Sequence, residues 1–226
     1  MRYKEETLKE FEYKAIAKIN EAEKRITEIH IHIAKGNKKV GRIRNVSIMP
    51  YVCCGNCASC KRYCYDIKAA IQYINVMTAR AENTALARKD PERFFEEIKN
   101  SLNERIKRKY MRWHVGGEIL DIEYLKGMIK VACEKPNFKF WTYTKMWQLV
   151  NSYIADGGFI PDNLTILYSV DRDSYIENPY GMPIAYTVLP GDTAPASCMK
   201  CPGNCETCIE KQIGCPFGYS VYFDEH

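Results

Sequence analysis

The chain has 226 residues, 46% of them hydrophobic and 12% aromatic, with a net charge of +5 and eleven cysteines. That length suffices for one sizeable core, or a core with a small metal-bound appendage. No run approaches the roughly 20 apolar residues of a membrane helix and the charged start MRYKEETLKE does not read as a signal peptide, so a cytoplasmic protein with no membrane association is expected; there, an odd and clustered set of cysteines points to metal ligation rather than a disulfide scaffold.

Residues 7–25 carry Leu8, Phe11, Ala15, Ile19 and Ala22 at helical spacing, and Thr7 with Glu10 would form a capping box. Residues 29–33, IHIHI, alternate with period two and predict a strand with His30 and His32 on one exposed face. KGNKK at 35–39 would turn a hairpin into a second strand at 40–48, with Gly36 and Asn37 at positive φ. Then comes YVCCGNCASCKRYCYD at 51–66, which holds Cys53, Cys54, Cys57, Cys60 and Cys64.

Beyond it, helix and strand alternate. One helix is predicted over 67–89, and Asp90-Pro91 starts another that runs to about 109. Its end includes much of the positive charge (RIKRKYMR, 105–112), read as a solvated helix face rather than a nucleic-acid site. Strands are predicted at 111–115, 138–142, 164–170 and 183–188, and helices at 121–134 and 145–155. Such alternation predicts right-handed βαβ units and a parallel sheet, with the chemistry at the strands' C-terminal ends. Those ends carry the cysteine loop, Gly116-Gly117-Glu118, Tyr143-Thr144-Lys145, and Ser169 with Asp171.

The expected fold is a single α/β domain: an N-terminal helix and hairpin (1–50), a partial parallel (β/α) barrel with the cysteine loop (51–190), and a cysteine-rich metal-binding tail (191–226). The tail sets Cys198, Cys201, Cys205, Cys208 and Cys215 among Gly and Pro. It would hold its own metal or fold back to complete the first site. Cys133, alone on a helix, reads as a buried apolar residue.

Thiolates crowded this closely repel one another and oxidise unless a metal neutralises them. A single zinc usually draws its ligands from two separated pairs, whereas an iron-sulfur cube offers spaced corners to thiolates on one loop, so crowding favours a cluster. Zinc remains an alternative, for instance a ribbon joining Cys57 and Cys60 to Cys205 and Cys208, as do disulfides or inert thiols. Arg112 and His114 flank Trp113 on one strand and would share its inward face. A buried Arg calls for an anion, which Glu118 or Asp171 would provide, or else a substrate. Tyr143 and Lys145 could bind a carboxylate or phosphate. No nucleophile elbow, phosphate loop or HExxH occurs, so hydrolase and nucleotide-binding readings lack support.

Several of these segments together resemble a phage and prophage family called gene product eighty-eight: the Gly36-Asn37-Lys38-Lys39-Val40-Gly41 turn, Cys53 through Cys64-Tyr65, Asn83, Arg112-Trp113-His114 with Gly117, Tyr143-Thr144-Lys145, and Cys198 through Cys208 with an end near Val221 and His226. Glu118, where that family suggests Asp, and the extra cysteines of the first loop depart from it. The chain also resembles the radical S-adenosylmethionine enzymes, whose partial barrel carries CxxxCxxC after its first strand and GGE after its second. Cys53, Cys57 and Cys60 have that spacing, and Gly116-Gly117-Glu118 follows in order. The aromatic residue usual before the last cysteine is Ser59 here, while Tyr63 precedes Cys64, so the resemblance equally allows Cys57, Cys60 and Cys64. It implies one or two 4Fe–4S clusters, S-adenosylmethionine held partly by Gly116, Gly117 and Glu118, a substrate that it does not identify, and a reductase or host-protein partner. The alternative is a zinc-binding, non-enzymatic phage accessory protein whose basic helix and aromatic residues contact nucleic acid or a host protein.

Overall fold

The computed structural model of the chain describes residues 2–37, 40–55 and 60–224. Helix α1 spans Glu5–Lys24 and buries Leu8, Phe11, Ala15, Ile19 and Ala22, the stripe its spacing predicts. It starts earlier than expected: Lys4 is the N-cap and makes no side-chain cap bond, so Thr7 and Glu10 lie inside the helix and form no capping box. The IHIHI segment contributes only its end to a strand, β1 (Ile33–Ala34), which pairs antiparallel with β2 (Arg44–Val46). His30 and His32 turn to glutamates instead, with ring nitrogens 3.0 Å from Glu97 and 2.5 Å from Glu82. In the turn, Gly36 and Gly41 have positive φ while Asn37 does not; Lys38 and Lys39 lie outside the described residues.

The single helix expected at 67–89 is two, α2 (Tyr65–Gln72) and α3 (Ile74–Lys89), separated by Tyr73 in an extended conformation. Helix α4 (Pro91–Ser101) begins where Asp90-Pro91 places it, with the Asp90 carboxylate accepting from Arg93 N. It stops eight residues short of the expected end, so the basic run is an irregular connection leading into a strand rather than a helix face. There Arg108 pairs with Glu206, and Lys109 with Glu104. Strand β3 (Tyr110–Trp113), helix α5 (Ile122–Glu134), strand β4 (Lys139–Thr144), helix α6 (Trp147–Ala155), and strands β5 (Leu164–Val170) and β6 (Ile184–Val188) follow as predicted, within a few residues. The tail, expected to be irregular, adds β7 (Met199–Lys200), α7 (Cys205–Lys211) and β8 (Val221–Asp224).

Eight strands among the described residues form one sheet in the order β1-β2-β3-β4-β5-β6-β8-β7. Every pairing from β2 onward is parallel. Helices α1 to α6 pack on one face, where Leu8, Ile67, Ala85, Phe94, Leu125 and Val150 meet Met111, Trp113, Phe140, Ile166 and Tyr168. The other face has a smaller cluster of Ile43, Trp141, Leu167, Ala185 and Val221, covered by the tail through Cys205, Ile209 and Cys215. Period-two alternation accounts for both: Phe140 and Trp141, adjacent in sequence, lie on opposite faces and are both fully buried. Cys133, expected in the core, is exposed. No helix among the described residues is long and apolar enough to cross a membrane.

Phe140 lies between Trp113 and Phe138, with ring centroids at 6.4 and 6.2 Å. Phe140→Ala removes that ring from a close-packed site, and the urea unfolding free energy should fall by about 3–5 kcal/mol.

Candidate functional site

Parallel strands bring the loops after β2 to β6 to one end of the sheet, and the tail lies against the same end. Between them is a cavity of about 480 Å³. Its walls include Cys54, Cys60 and Cys64 from the first loop, Gly116, Gly117 and Glu118 after β3, Tyr143 and Lys145 of β4 and beyond, and Cys201 and Cys205 of the tail. Residues far apart in the chain thus share one space, as expected for the strands' C-terminal ends.

The two glycines are required by close packing. A Cβ on Gly116 would lie 1.6 Å from Asp66 Oδ2, and one on Gly117, whose φ is +89°, would lie 2.4 Å from the Ile48 side chain. Asp66 cannot easily give way, since Arg80 donates to both its oxygens at 3.1 Å. Gly116 N also donates to Ser47 Oγ at 3.1 Å, joining the ends of β2 and β3.

Glu118 is buried, and both its carboxylate oxygens are engaged. Oε1 accepts from Thr144 Oγ1 at 2.7 Å and from Ile119 N at 2.8 Å, and Oε2 from Lys145 N at 2.7 Å. These bonds fasten the loop after β3 to the end of β4. Burial raises the Glu118 pKa, with the hydrogen bonds opposing that shift.

His114 does not share the face of Arg112. Its φ of +51° turns it toward the helices, where its ring nitrogens lie 3.2 Å from Thr142 Oγ1 and 3.0 Å from Tyr124 OH. Tyr51, after β2, also has positive φ at +66°. Two non-glycine residues in this disfavoured conformation at neighbouring strand ends mark the region as functional or tightly constrained.

Arg112 lies on the other face, its guanidinium 4.6 Å from the centre of the Tyr143 ring. Neither expected carboxylate reaches it. Glu118 is bound as described, and Asp171 accepts from Tyr63 OH at 3.1 Å, Ser174 Oγ at 2.7 Å and Asp173 N at 3.1 Å, with Lys145 Nζ 3.7 Å away. The ionisable groups around Arg112 are Tyr65, Tyr143, Cys205 and Cys215.

The thiols divide into groups. Cys53 is in the helix-side core, where Arg88 Nη2 donates to its sulfur at 3.5 Å and Thr84 Oγ1 lies 3.9 Å away; it does not line the cavity. Cys60 and Cys64 do, and burial pushes the Cys64 thiol up to about 12, with Asp66 and Cys60 adding to the shift. Cys57 lies outside the described residues. In the tail, Cys201, Cys205, Cys208 and Cys215 are near enough to influence one another. Burial first, then these neighbours, raise Cys205, take Cys208 to about 11 and Cys215 to about 12. Tyr143 OH is 3.0 Å from Cys215 Sγ. Cys198 is buried beside Ser197, away from the cavity. Among the described residues, no three His, Cys, Asp or Glu side chains are arranged to hold one metal ion.

Sequence reasoning placed the glycines and most of the thiols at the strand ends. It missed Thr144, Thr142, Ser47 and Asp66, whose roles depend on contacts between loops and carry no local signal. A sequence profile described as gene product 88 matches residues 7–216. No curated protein and no solved structure matches the chain.

Two predictions test this geometry. Gly116→Ala forces its methyl group onto the Asp66–Arg80 pair, and urea unfolding should show a loss of roughly 1–3 kcal/mol. Burial also lowers the His114 pKa from 6.5 to about 3, helped by the charges of Arg112 and Arg80. The unfolded chain therefore binds this proton more readily, and the stability that depends on neutral His114 is lost as pH falls from about 6.5 towards 3. Urea midpoints of His114→Gln should fall less steeply over that range than those of the wild type; parallel profiles would contradict the assignment.

Proposed function

The chain belongs to the gene product 88 family, and from that premise and the cysteine-walled cavity we propose that it binds an iron-sulfur cluster and acts as a small radical S-adenosylmethionine enzyme. One observation carries the reading: thiols from two distant segments and Gly116-Gly117-Glu118 line a single cavity at the C-terminal ends of parallel strands. The sequential strand order with α1 to α6 on one face is also the arrangement that curves into a partial barrel, which we propose as the finer description of the fold.

The donor set suits the group. A metal that binds thiols displaces their protons, and soft thiolates are the ligands iron-sulfur clusters take. Cys60 and Cys64 both face the cavity while Cys53 turns towards Thr84 and Arg88, which supports Cys57, Cys60 and Cys64 over Cys53, Cys57 and Cys60 as the loop's ligands. Cys57, Cys60 and Cys64 would hold a cluster there, and bound in that way it would supply an electron for reductive chemistry on the cofactor. Gly116 and Gly117 stand on the cavity wall, where their backbone groups would face the cofactor. Glu118, already bound through three donors, retains lone-pair capacity for an amino group and is held in place by Thr144 and Lys145. Tail residues Cys201, Cys205, Cys208 and Cys215 would hold a second centre, with Cys198 as a further thiol in the same segment. A reductase is the implied partner, and a cytoplasmic setting suits such thiols.

The competing reading is a zinc-binding accessory protein that contacts nucleic acid or a host protein. The number of tail thiols favours it, since Cys201, Cys205, Cys208 and Cys215 are four and four is the number zinc takes, although no three of them are arranged around one point. The basic run gives it less support than its sequence suggested, because it is no continuous helix face: Arg108 pairs with Glu206 and Arg112 lies in a strand on the cavity wall.

Anaerobically purified protein should contain iron and acid-labile sulfide. Cys60→Ala or Cys64→Ala should lose much of both, and Cys205→Ala with Cys208→Ala only part. Stoichiometric zinc without sulfide would defeat the reading. S-adenosylmethionine should alter the paramagnetic spectrum of the reduced protein and yield 5′-deoxyadenosine, and Glu118→Ala should weaken that response while iron content stays unchanged.

A further inference from the structure

Arg112 is a cation without a carboxylate. Its Nε is buried and has no hydrogen-bond partner, and among the described residues no carboxylate comes within ion-pairing distance of the guanidinium. Both candidates nearby, Glu118 and Asp171, are taken up at other strand ends. Arginine does not give up its proton in proteins, so neutralisation cannot relieve the charge. The guanidinium donates a hydrogen bond to the Cys205 sulfur and has Cys215 as a further neighbour, but neither offers the paired oxygens of a carboxylate. An enclosed charge in this state is costly until an anion reaches it.

The surroundings suit an incoming anion. Arg112 is on the wall of the cavity, together with Tyr65, Thr187, Asn204 and Lys200, whose side chains can donate hydrogen bonds. Tyr143 holds the guanidinium against its ring and stacks on Phe223 with centroids at 6.2 Å, so an apolar surface lies beside the charge. A planar fork of donors beside stacked rings matches a carboxylate or phosphate group attached to a small organic body.

We propose that the Arg112 side of the cavity is a subsite for the carboxylate or phosphate of a small organic anion, which makes the substrate of this site an acid or a phosphate ester. This rests on the reading of the cavity as an active site but not on the identity of its metal. Arg112 forks onto the anion, and the Tyr143–Phe223 pair lies against the rest of the molecule. Glu118 remains across the cavity as a separate group.

The test titrates the full chain, as purified anaerobically, with inorganic phosphate and with succinate at constant low ionic strength, followed by calorimetry. Iron and sulfide are measured on the same samples, so a metal-free preparation that still binds anion removes the cluster reading and leaves the subsite. Saturable binding of at least one probe is expected, and Arg112→Gln should weaken it at least about tenfold while Lys14→Ala, at an exposed position on α1, leaves it unchanged. If Arg112→Gln fails to fold, phenylglyoxal modification of the wild type, mapped by mass spectrometry, serves instead: phosphate or succinate should protect Arg112. S-adenosylmethionine carries a carboxylate of its own and is titrated in parallel. Anion binding that persists in its presence supports a separate substrate group. Competition, with an Arg112→Gln defect confined to the cofactor, would assign the subsite to the cofactor and overturn the proposal. So would the absence of any Arg112-dependent binding or protection with either probe.

Discussion

The strand ends of this protein are laced together by buried side chains, and the cavity depends on that lacing. Beyond the last paired residues, a parallel sheet offers its loops no further backbone ladder, yet their polar groups still need partners. Ser47 supplies one to Gly116 N, Thr142 meets His114, and the Glu118 carboxylate gathers Thr144 and Lys145 N. Each bond crosses from one strand end to the next. Removing a member leaves a buried donor or acceptor unpaired, a loss larger than that of the bond itself. The strain at Tyr51 and His114 fits this arrangement, since a disfavoured backbone persists only where its surroundings fix it.

Much of this fold could be read from spacing. The apolar stripe of α1, the Asp90-Pro91 start of α4 and the alternating runs of β4 and β5 are local signals that tertiary contacts did not override. The failures have local causes too. Residues 67–89 contain neither glycine nor proline, so nothing marked the extended Tyr73 that separates α2 from α3. IHIHI has the alternation of a strand, but its histidines found glutamates on α3 and α4. Strand β8 is four residues long and sits among turn-rich cysteine segments, where short strands leave little pattern.

The site was legible as a list of residues but not as a geometry. Glycines, thiols and Glu118 fell at the strand ends because βαβ order places them there. Which way each side chain points was not readable. A left-handed residue at 114 reversed one expectation, and the capture of Glu118 and Asp171 by neighbouring loops reversed another. Both depend on contacts between segments distant in sequence, which no local pattern encodes.

The tail is made after the sheet face that it covers. On the ribosome β2 to β6 emerge first, with Trp141, Leu167 and Ala185 on a face that residues 198–221 have yet to cover. Until then the nascent sheet presents apolar surface to solvent, the condition that invites chaperones and mispairing. Covering of the face opposite the helices therefore waits for the tail. The same docking brings Cys201 and Cys205 to the cavity that Cys54, Cys60 and Cys64 line from the first loop, so the cavity's thiol wall is complete only once the tail is made.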